Sequence, residues 1–188
     1  MPARRLPGRS GNEGKPLVKV FGVTGWSGSG KTTLLGELVP RFIARGWSVS
    51  TVKHAHHGFD LDQPGKDSWR HRQSGATEVL ISSSLRWALM HELHAGEPPL
   101  AELLARLSPV DLVLVEGFKA NPHPKLEVHR PALQRPPIWP GRDDIVAVAA
   151  DADLPGCDRP VLPLNDPAVI VDWALAFLLR SGAQDHAT

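Results

Sequence analysis

A glycine-rich segment near the amino terminus constrains the fold of this chain more than any other feature. The segment, residues 25–32, has the pattern Gly-x-x-x-x-Gly-Lys-Thr. An apolar, β-rich stretch at 17–23 precedes it, and residues 31–44 place their apolar side chains at helical spacing. A strand, a glycine-rich turn and a helix in this order form a loop whose backbone N–H groups can surround phosphate oxygens. Because the spacing is complete and stands in this context, a helix start without a ligand is the weaker interpretation.

Each residue type in the loop has a physical task. Glycines accept backbone angles that a side chain opposes, so successive N–H groups can converge on an anion. Lys31 supplies an ammonium for the β- and γ-phosphates, and the Thr32 hydroxyl can ligate Mg²⁺. Tryptophan at position 26 argues against the branch of P-loop ATPases that carries a second lysine there. The predicted phosphate-binding residues of the loop are Gly25, Trp26, Ser27, Gly28, Ser29, Gly30, Lys31, Thr32 and Thr33.

A second segment, residues 111–117, has the form of an apolar strand that ends in an acid. In a parallel sheet the ligand lies at the carboxyl ends of the strands. Glu116 is therefore expected near Mg²⁺ and is, with Lys31, a candidate catalytic residue, whereas Asp111 is expected to be structural. Gly117 would let the backbone approach the γ-phosphate. An acid that merely ends a strand is the alternative interpretation.

The second strand is predicted at 47–53, and the loop that follows it offers a third oxygen ligand. Asp60 is a candidate because Mg²⁺ prefers carboxylate oxygen, and a solvated loop acid is an equal alternative. His54, His56 and His57 also invite a metal site. Zinc usually takes four protein ligands or three plus water, and the chain has one cysteine, so solvated or phosphate-contacting histidines are favoured. The predicted Mg²⁺ ligands are Thr32, Asp60 and Glu116.

Polar residues elsewhere could contact a phosphate-bearing ligand or a base. Lys66 and Arg70 share one face of a short predicted helix at 66–74, where ordinary surface charges are an equal interpretation. The chain has no Asn-Lys-x-Asp motif to select guanine, and Asn165 with Asp166, the candidate base contacts, could equally cap a helix. The candidate contacts with phosphate or a second ligand are Lys53, His54, Lys66, Asp67, Arg70, Arg86 and Lys119.

The alternation of strands and helices predicts an α/β fold with a mostly parallel sheet flanked by helices. A strand pair at 78–82 and 87–93 is predicted to add an antiparallel edge region. A chain of 188 residues fits one domain, predicted here at 17–181 between a flexible basic tail at 1–16 and a frayed end at 182–188. The other predicted elements are strands at 110–115, 125–129, 145–149 and 161–164, a helix at 98–107 and a final helix through Arg180.

Composition excludes several classes of function. The net charge of +1 provides no field that would make nucleic acid the main partner. No apolar run approaches the roughly 20 residues that cross a bilayer. The single cysteine suits a reducing compartment, and the start of the chain lacks the apolar stretch of a secretory signal. We therefore expect a cytoplasmic protein with neither nucleic acid nor membrane as a partner.

Several motifs in one order are more specific than the phosphate loop alone. They are GWSGSGKTTL (25–34), VKHAHH (52–57), DLDQPGKDS (60–68), RWALM (86–90) and DLVLVEGFK (111–119). Together they resemble the MobB family of molybdopterin-guanine dinucleotide biosynthesis adaptor proteins. The resemblance extends from about residue 18 to the final helix, and its most discriminating parts are 64–68 and 116–119.

The resemblance implies GTP rather than ATP as the nucleotide, bound with Mg²⁺, a homodimer, and at most a weak intrinsic GTPase activity. It also implies an adaptor role beside the guanylyltransferase MobA, which joins GMP to molybdopterin. The basic residues named above are then candidates for contacts with molybdopterin. The chain departs from the family in a longer amino-terminal tail and in a proline-rich stretch at 131–140, which bear on the dimer and partner surfaces.

Two other functions fit parts of the pattern. A small-molecule kinase could clamp its phosphoacceptor with the basic residues and use Asp60 as base, but no segment shows a clear arginine-bearing lid. A GTPase that delivers nickel or another metal would draw on His54, His56 and His57. Phosphoryl transfer to a metabolite would indicate the first, and metal binding that depends on the histidines would indicate the second.

Overall fold

The computed structural model describes residues 18–55 and 58–184. The tail predicted at 1–16 lies outside these residues. Strands and helices alternate along the described chain, which confirms the predicted α/β class. The strands are β1 (Lys19–Thr24), β2 (Val49–Lys53), β3 (Glu78–Ser82), β4 (Trp87–His91), β5 (Leu112–Glu116), β6 (Lys125–His129), β7 (Ile145–Ala150) and β8 (Val161–Pro163). The helices are α1 (Lys31–Ala44), α2 (Asp67–Gln73), α3 (Leu100–Ala105) and α4 (Pro167–Gln184), with a short 3₁₀ helix at Pro131–Leu133.

Internal contacts divide the chain into two compact units. Within the described residues, the first comprises 18–52 and 109–184, and the second comprises 53–55 and 58–108. A six-stranded sheet forms the centre of the first unit, and β3 and β4 form a separate two-stranded sheet in the second. The two strands of the second unit pair with each other rather than with the larger sheet. The single domain expected at 17–181 stays a prediction.

The strand order of the larger sheet is β2-β5-β1-β6-β7-β8. β1 pairs in parallel with β5 and β6, and β7 and β8 continue the parallel run beyond β6. In the β1–β5 register Val23 lies opposite Glu116, so the loop after β1 and the acid at the end of β5 emerge at one edge of the sheet. β5 separates β1 from β2, although β1, α1 and β2 are consecutive along the chain.

Helix α1 begins directly after the glycine-rich loop. Gly30, which precedes its first turn, has a φ of 96°, a left-handed conformation that glycine adopts without strain. Pro40 lies inside the helix, which nevertheless continues to Ala44, so the proline does not shorten it. The buried face of α1 joins β1 and α4 in the main hydrophobic core. The buried residues of α1 are Leu34, Leu35, Leu38 and Phe42.

The hairpin of the second unit is antiparallel, as predicted. Val79 lies opposite Met90, and both are buried, whereas the next pair, Leu80 and Leu89, is exposed. Successive side chains of a strand point to opposite faces, so the buried pair lies on one face of the hairpin and the exposed pair lies on the other, open face. In α2, Arg72 donates hydrogen bonds to three carboxylates. These bonds join α2 to the loop before it and to the residue after β4. These carboxylates are Asp60 at 2.6 Å, Asp62 at 2.8 Å and Glu92 at 3.1 Å.

Several predicted boundaries differ from the structure by one to four residues. β4 ends at His91 rather than at 93. α3 begins at Leu100 rather than at 98, because Pro99 has an extended ψ of 151° and stands outside the helix. α4 continues to Gln184, into the end expected to be frayed. Within the described part of the chain, no helix combines the length and apolarity needed to span a membrane.

Candidate functional site

The glycine-rich loop joins β1 to α1 at the carboxyl edge of the first unit's sheet. Gly25 has a φ of 147°, and a Cβ there would lie 2.5 Å from the carbonyl oxygen of Val128, so a larger residue does not fit. The N–H of Ser29 donates to the carbonyl oxygen of Trp26 at 3.2 Å and closes the turn. The Lys31 ammonium donates to the same oxygen at 2.8 Å. Left-handed glycines, a helix start and a lysine inside the turn make up a donor set that fits a polyphosphate.

The first turn of α1 meets the end of β5 through one hydrogen bond. The Thr32 hydroxyl donates to Oε1 of Glu116 at 2.8 Å, and the Glu116 side chain is largely buried. A hydroxyl and a carboxylate at this separation are hard oxygen ligands of the kind that Mg²⁺ prefers, so this pair could hold the ion beside the phosphates. Gly117 follows with a φ of 92°, and its N–H donates to the carbonyl oxygen of Val23 at 3.3 Å. Its approach to the γ-phosphate stays a prediction.

Asp111, at the other end of β5, has the structural role expected of it. Its carboxylate accepts hydrogen bonds from the backbone N–H of Ser48 at 2.8 Å and from the Ser48 hydroxyl at 2.6 Å. In return, the Ser48 hydroxyl oxygen accepts the Asp111 N–H at 2.9 Å. These bonds join the residue before β2 to the residue before β5, at the sheet edge opposite to the phosphate loop.

Arg130, directly after β6, contacts the phosphate loop from the neighbouring strand. Its Nε donates to the carbonyl oxygen of Ser29 at 3.0 Å, and its Nη1 pairs with Asp151 after β7. A Cβ added to Gly30 would lie 3.6 Å from the Arg130 guanidinium. The ends of β1, β6 and β7 are thus joined by one arginine at the edge where the loop lies.

The side chain of Trp26 fixes the proline-rich stretch against the loop. Its indole Nε1 donates to the carbonyl oxygen of Pro136 at 2.7 Å. Two cations lie over its ring, with the Lys119 ammonium 4.9 Å and the Arg135 guanidinium carbon 5.9 Å from the centroid. Trp26, predicted as one residue of the phosphate loop, therefore also joins that loop to two other segments of the first unit.

The far end of the proline-rich stretch is held by a buried carboxylate. Glu127 in β6 accepts hydrogen bonds from the backbone N–H groups of Ile138, at 3.0 Å, and Trp139, at 2.8 Å. Burial raises the pKa of Glu127, and these backbone hydrogen bonds work in the opposite direction because they favour the charged form. A fully buried glutamate thereby satisfies backbone groups that the irregular stretch cannot pair with itself.

A buried ion network supports the segment between β5 and β6. Lys125 is fully buried, and its ammonium donates to Asp144 at 2.6 Å and to the carbonyl oxygen of His123 at 2.9 Å. Burial lowers the pKa of Lys125, whereas hydrogen bonds from Arg142 and then Lys125 hold the pKa of Asp144 well below its usual value. Burial lowers the pKa of His123 to about 4. Arg142 also donates to the carbonyl oxygen of Lys119, so the network reaches the residue that lies over the Trp26 ring.

The remaining candidates for phosphate contacts all belong to the second unit, which begins at Lys53, the last residue of β2. His54 pairs with Glu97 at 2.8 Å, and Asp60 accepts from Arg72. His56 and His57 lie outside the described residues, and the described residues contain no group of three His, Cys, Asp or Glu side chains that could hold a metal. The roles of this set as magnesium, phosphate or molybdopterin contacts stay predictions. Its members are Lys53, His54, Asp60, Lys66, Asp67, Arg70 and Arg86.

The two candidate base contacts lie between β8 and α4. The Asp166 carboxylate accepts from the N–H groups of Ala168 at 3.2 Å and Val169 at 3.4 Å, so it caps α4. Asn165 instead lines a groove of about 360 Å³ at the carboxyl ends of β7 and β8, together with Asp151. Asp166 does not line this groove, and a contact of Asn165 with a base stays a prediction.

Sequence reasoning did not identify Arg130 or Arg135 as site residues. Both are basic residues at or within a proline-rich stretch, and Arg130 directly follows a strand that ends at the ligand edge. Position after a parallel strand was the signal that identified Glu116 and could have identified Arg130. No local pattern places Arg135 over the Trp26 ring, because 109 positions separate Arg135 from that residue.

The strand order, the phosphate loop and the Thr32–Glu116 pair define a P-loop NTPase fold. Residues 20–151 match the family model described as MobB, molybdopterin guanine dinucleotide synthesis protein B. The chain therefore belongs to the MobB family.

Two curated relatives and a solved structure show the extent of the similarity. The chain is 42% identical over 160 residues to the molybdopterin-guanine dinucleotide biosynthesis adapter protein of Haemophilus influenzae, covering 83% of this chain and 87% of that protein. It is 38% identical over 171 residues to the adapter protein of the same name from Escherichia coli, covering 89% and 97%. A crystal structure of a MobB protein homolog from Bacillus stearothermophilus is similar with a TM-score of 0.63 and 30% identity, covering 86% of this chain and 98% of that one.

Proposed function

We propose that this chain is a GTP-binding adapter in molybdopterin-guanine dinucleotide biosynthesis, which presents GTP with Mg²⁺ to a MobA-type guanylyltransferase that joins GMP to molybdopterin. The observation that carries the proposal is the loop with Lys31 inside its turn and the Thr32 hydroxyl 2.8 Å from the Glu116 carboxylate. This arrangement supplies an ammonium and two oxygen ligands suited to a magnesium-bound triphosphate. The names of the two curated relatives support the pathway.

Hydrolysis at this site is expected to be slow. Phosphoryl transfer in P-loop proteins depends on positioning the nucleophile and on neutralising charge. Oε1 of Glu116 accepts the Thr32 hydroxyl, a position suited to holding the metal rather than to orienting water. Slow GTP hydrolysis suits a protein that holds GTP for a partner enzyme. We therefore expect a kcat far below the roughly 10 s⁻¹ of a typical enzyme.

Nucleotide titration of the purified chain tests the site. With Mg²⁺ present, we expect tighter binding of GTP than of ATP. Lys31→Ala should weaken GTP binding about tenfold or more, because a hydrogen bond to a charged group contributes about 1.5–3 kcal/mol. Arg41→Ala is the matched control, because it removes a cation from the last turn of the same helix, about 15 Å away along the axis. Absence of affinity for any triphosphate would overturn the proposal.

A reconstituted transferase reaction tests the adapter role. Molybdopterin, a MobA-type enzyme and limiting GTP would be incubated with and without this chain, and molybdopterin-guanine dinucleotide would be quantified. We expect a higher yield with the wild-type chain and with Arg41→Ala, and no gain with Lys31→Ala. Equal yields with and without the chain would refute the adapter role, while leaving the nucleotide site itself intact.

We also infer a homodimer, for which the second unit offers a surface. Leu80 and Leu89 lie opposite each other on the open face of the β3–β4 hairpin and are 60% and 43% exposed. Trp87, on the same face, is 67% exposed. Contiguous apolar side chains on neighbouring strands are typical of surfaces that another protein covers. A second copy of this face would bury the patch in a twofold-symmetric contact.

Light scattering after size exclusion measures the oligomeric state. Leu89→Lys should convert the dimer to a monomer, because a charge would be buried at the centre of the proposed contact. Ile43→Lys is the matched control, since Ile43 is 55% exposed but lies on α1 in the first unit. A monomeric wild type, or a Leu89→Lys variant that remains dimeric, would remove the hairpin from the interface.

A further inference from the structure

Two cations lie over the side chain of one residue of the phosphate loop. The Lys119 ammonium and the Arg135 guanidinium lie over the Trp26 ring, both within the distance of about 6 Å at which an aromatic face attracts a cation. Among the residues that the structure describes, neither side chain pairs with an acid. Trp26 belongs to the loop itself, so both positive charges lie beside the phosphate loop.

Residues before and after Arg135 in the chain hold its segment in place through their contacts. Before it, Arg130 donates to the carbonyl oxygen of Ser29 at 3.0 Å. Directly after it, the carbonyl oxygen of Pro136 accepts from the Trp26 indole at 2.7 Å. Buried Glu127 fixes the end of the stretch through the N–H groups of Ile138 and Trp139. The arginine therefore stands on a segment anchored to the phosphate loop and to the sheet, and its side chain is exposed.

The position of Lys31 indicates which phosphate these cations face. The lysine of a P-loop reaches the β- and γ-phosphates. Its ammonium lies 2.8 Å from the carbonyl oxygen of Trp26, so Trp26 is next to the group that would contact these two phosphates. Lys119 and Arg135 lie over the ring of the same residue, within 6 Å of its centroid.

We propose that Arg135, assisted by Lys119, binds the terminal phosphate of the nucleoside triphosphate and makes the site distinguish GTP from GDP. The assignment rests on the proposed function, because it requires a nucleotide in the loop. A triphosphate carries more negative charge at this end than a diphosphate, and a guanidinium can donate two parallel hydrogen bonds to phosphate oxygens. Loss of the terminal phosphate removes this contact, so the diphosphate is released more readily.

Paired titrations with GTP and GDP in the presence of Mg²⁺ test the assignment. Arg135→Ala should weaken GTP binding about tenfold or more and leave GDP binding unchanged, because only the triphosphate makes the contact. Lys119→Ala should act in the same direction with a smaller effect, because an ammonium cannot bind in the bidentate mode. Arg41→Ala, the control on the outer part of α1, should change neither affinity.

The outcomes separate this assignment from the proposed function. Equal loss of GTP and GDP affinity in Arg135→Ala, or no loss of either, would overturn the assignment and leave the GTP site standing. A wild-type chain that binds neither nucleotide would overturn both. Arg135→Lys keeps the charge, so we expect it to recover part of the GTP affinity. A Lys variant as weak for GTP as the Ala variant would count against a phosphate contact.

Discussion

Lys125→Met removes a buried ammonium from β6 and keeps a side chain of similar length. In the wild-type chain the fully buried ammonium donates to Asp144 at 2.6 Å and to the carbonyl oxygen of His123 at 2.9 Å. Removing one partner of a buried ion pair costs about 3–5 kcal/mol, because the other charge is left uncompensated. Arg142 still donates to both oxygens of Asp144, so we expect the lower end of this range, about 3 kcal/mol.

Urea unfolding followed by tryptophan fluorescence measures this loss. With a slope of about 2 kcal/mol per molar urea, a loss of about 3 kcal/mol lowers the midpoint by about 1.5 M. Lys19→Met is the matched control, because the Lys19 ammonium donates to a neutral carbonyl, that of Leu178, at 2.6 Å. Its loss should be only about 1 kcal/mol. We attribute the larger contribution of Lys125 to the free energy of unfolding to the ion network rather than to a single hydrogen bond. Equal losses in the two variants would refute this reasoning.

Three further perturbations test other parts of the first unit. Gly25→Ala should abolish GTP binding when the purified chain is titrated with GTP and Mg²⁺, because the added Cβ would lie 2.5 Å from a backbone oxygen of β6. Gly28→Ala should reduce GTP affinity less, because a Cβ there meets nothing within 4 Å. The depressed pKa of Asp144 contributes stability that is fully present well above the unfolded pKa of about 3.9 and is lost progressively as pH falls from there toward the folded pKa. The free energy of unfolding should therefore fall less steeply between about pH 5 and pH 2 in Asp144→Asn than in the wild-type chain. Asp111→Ala should lower the free energy of unfolding by about 1–2 kcal/mol through its lost bonds to Ser48, and should leave GTP affinity unchanged. Loss of GTP binding in Asp111→Ala would contradict the structural role.

The amino-acid sequence by itself determined the local elements and the centre of the site. Helix α1 at Lys31–Ala44 and strand β6 at Lys125–His129 have the predicted bounds, because apolar periodicity and strand propensity are encoded within each segment. Thr32 and Glu116 are 84 positions apart, yet sequence reasoning placed both at one predicted metal site, and the structure joins them by a hydrogen bond. It could do so because parallel strands end at one edge, and a residue after such a strand is positioned by topology alone.

Tertiary structure alone decided the surroundings of that centre. The indole of Trp26 meets the carbonyl oxygen of Pro136 across 110 positions, and Arg130 meets Ser29 across 101, in segments without a shared local pattern. The division into two units and the place of β5 between β1 and β2 are likewise set by which strands pair. Such contacts depend on how distant segments pack, and propensity and spacing describe only residues near one another along the chain. The phosphate loop could therefore be found from the sequence, whereas the arginine over its tryptophan required the folded chain.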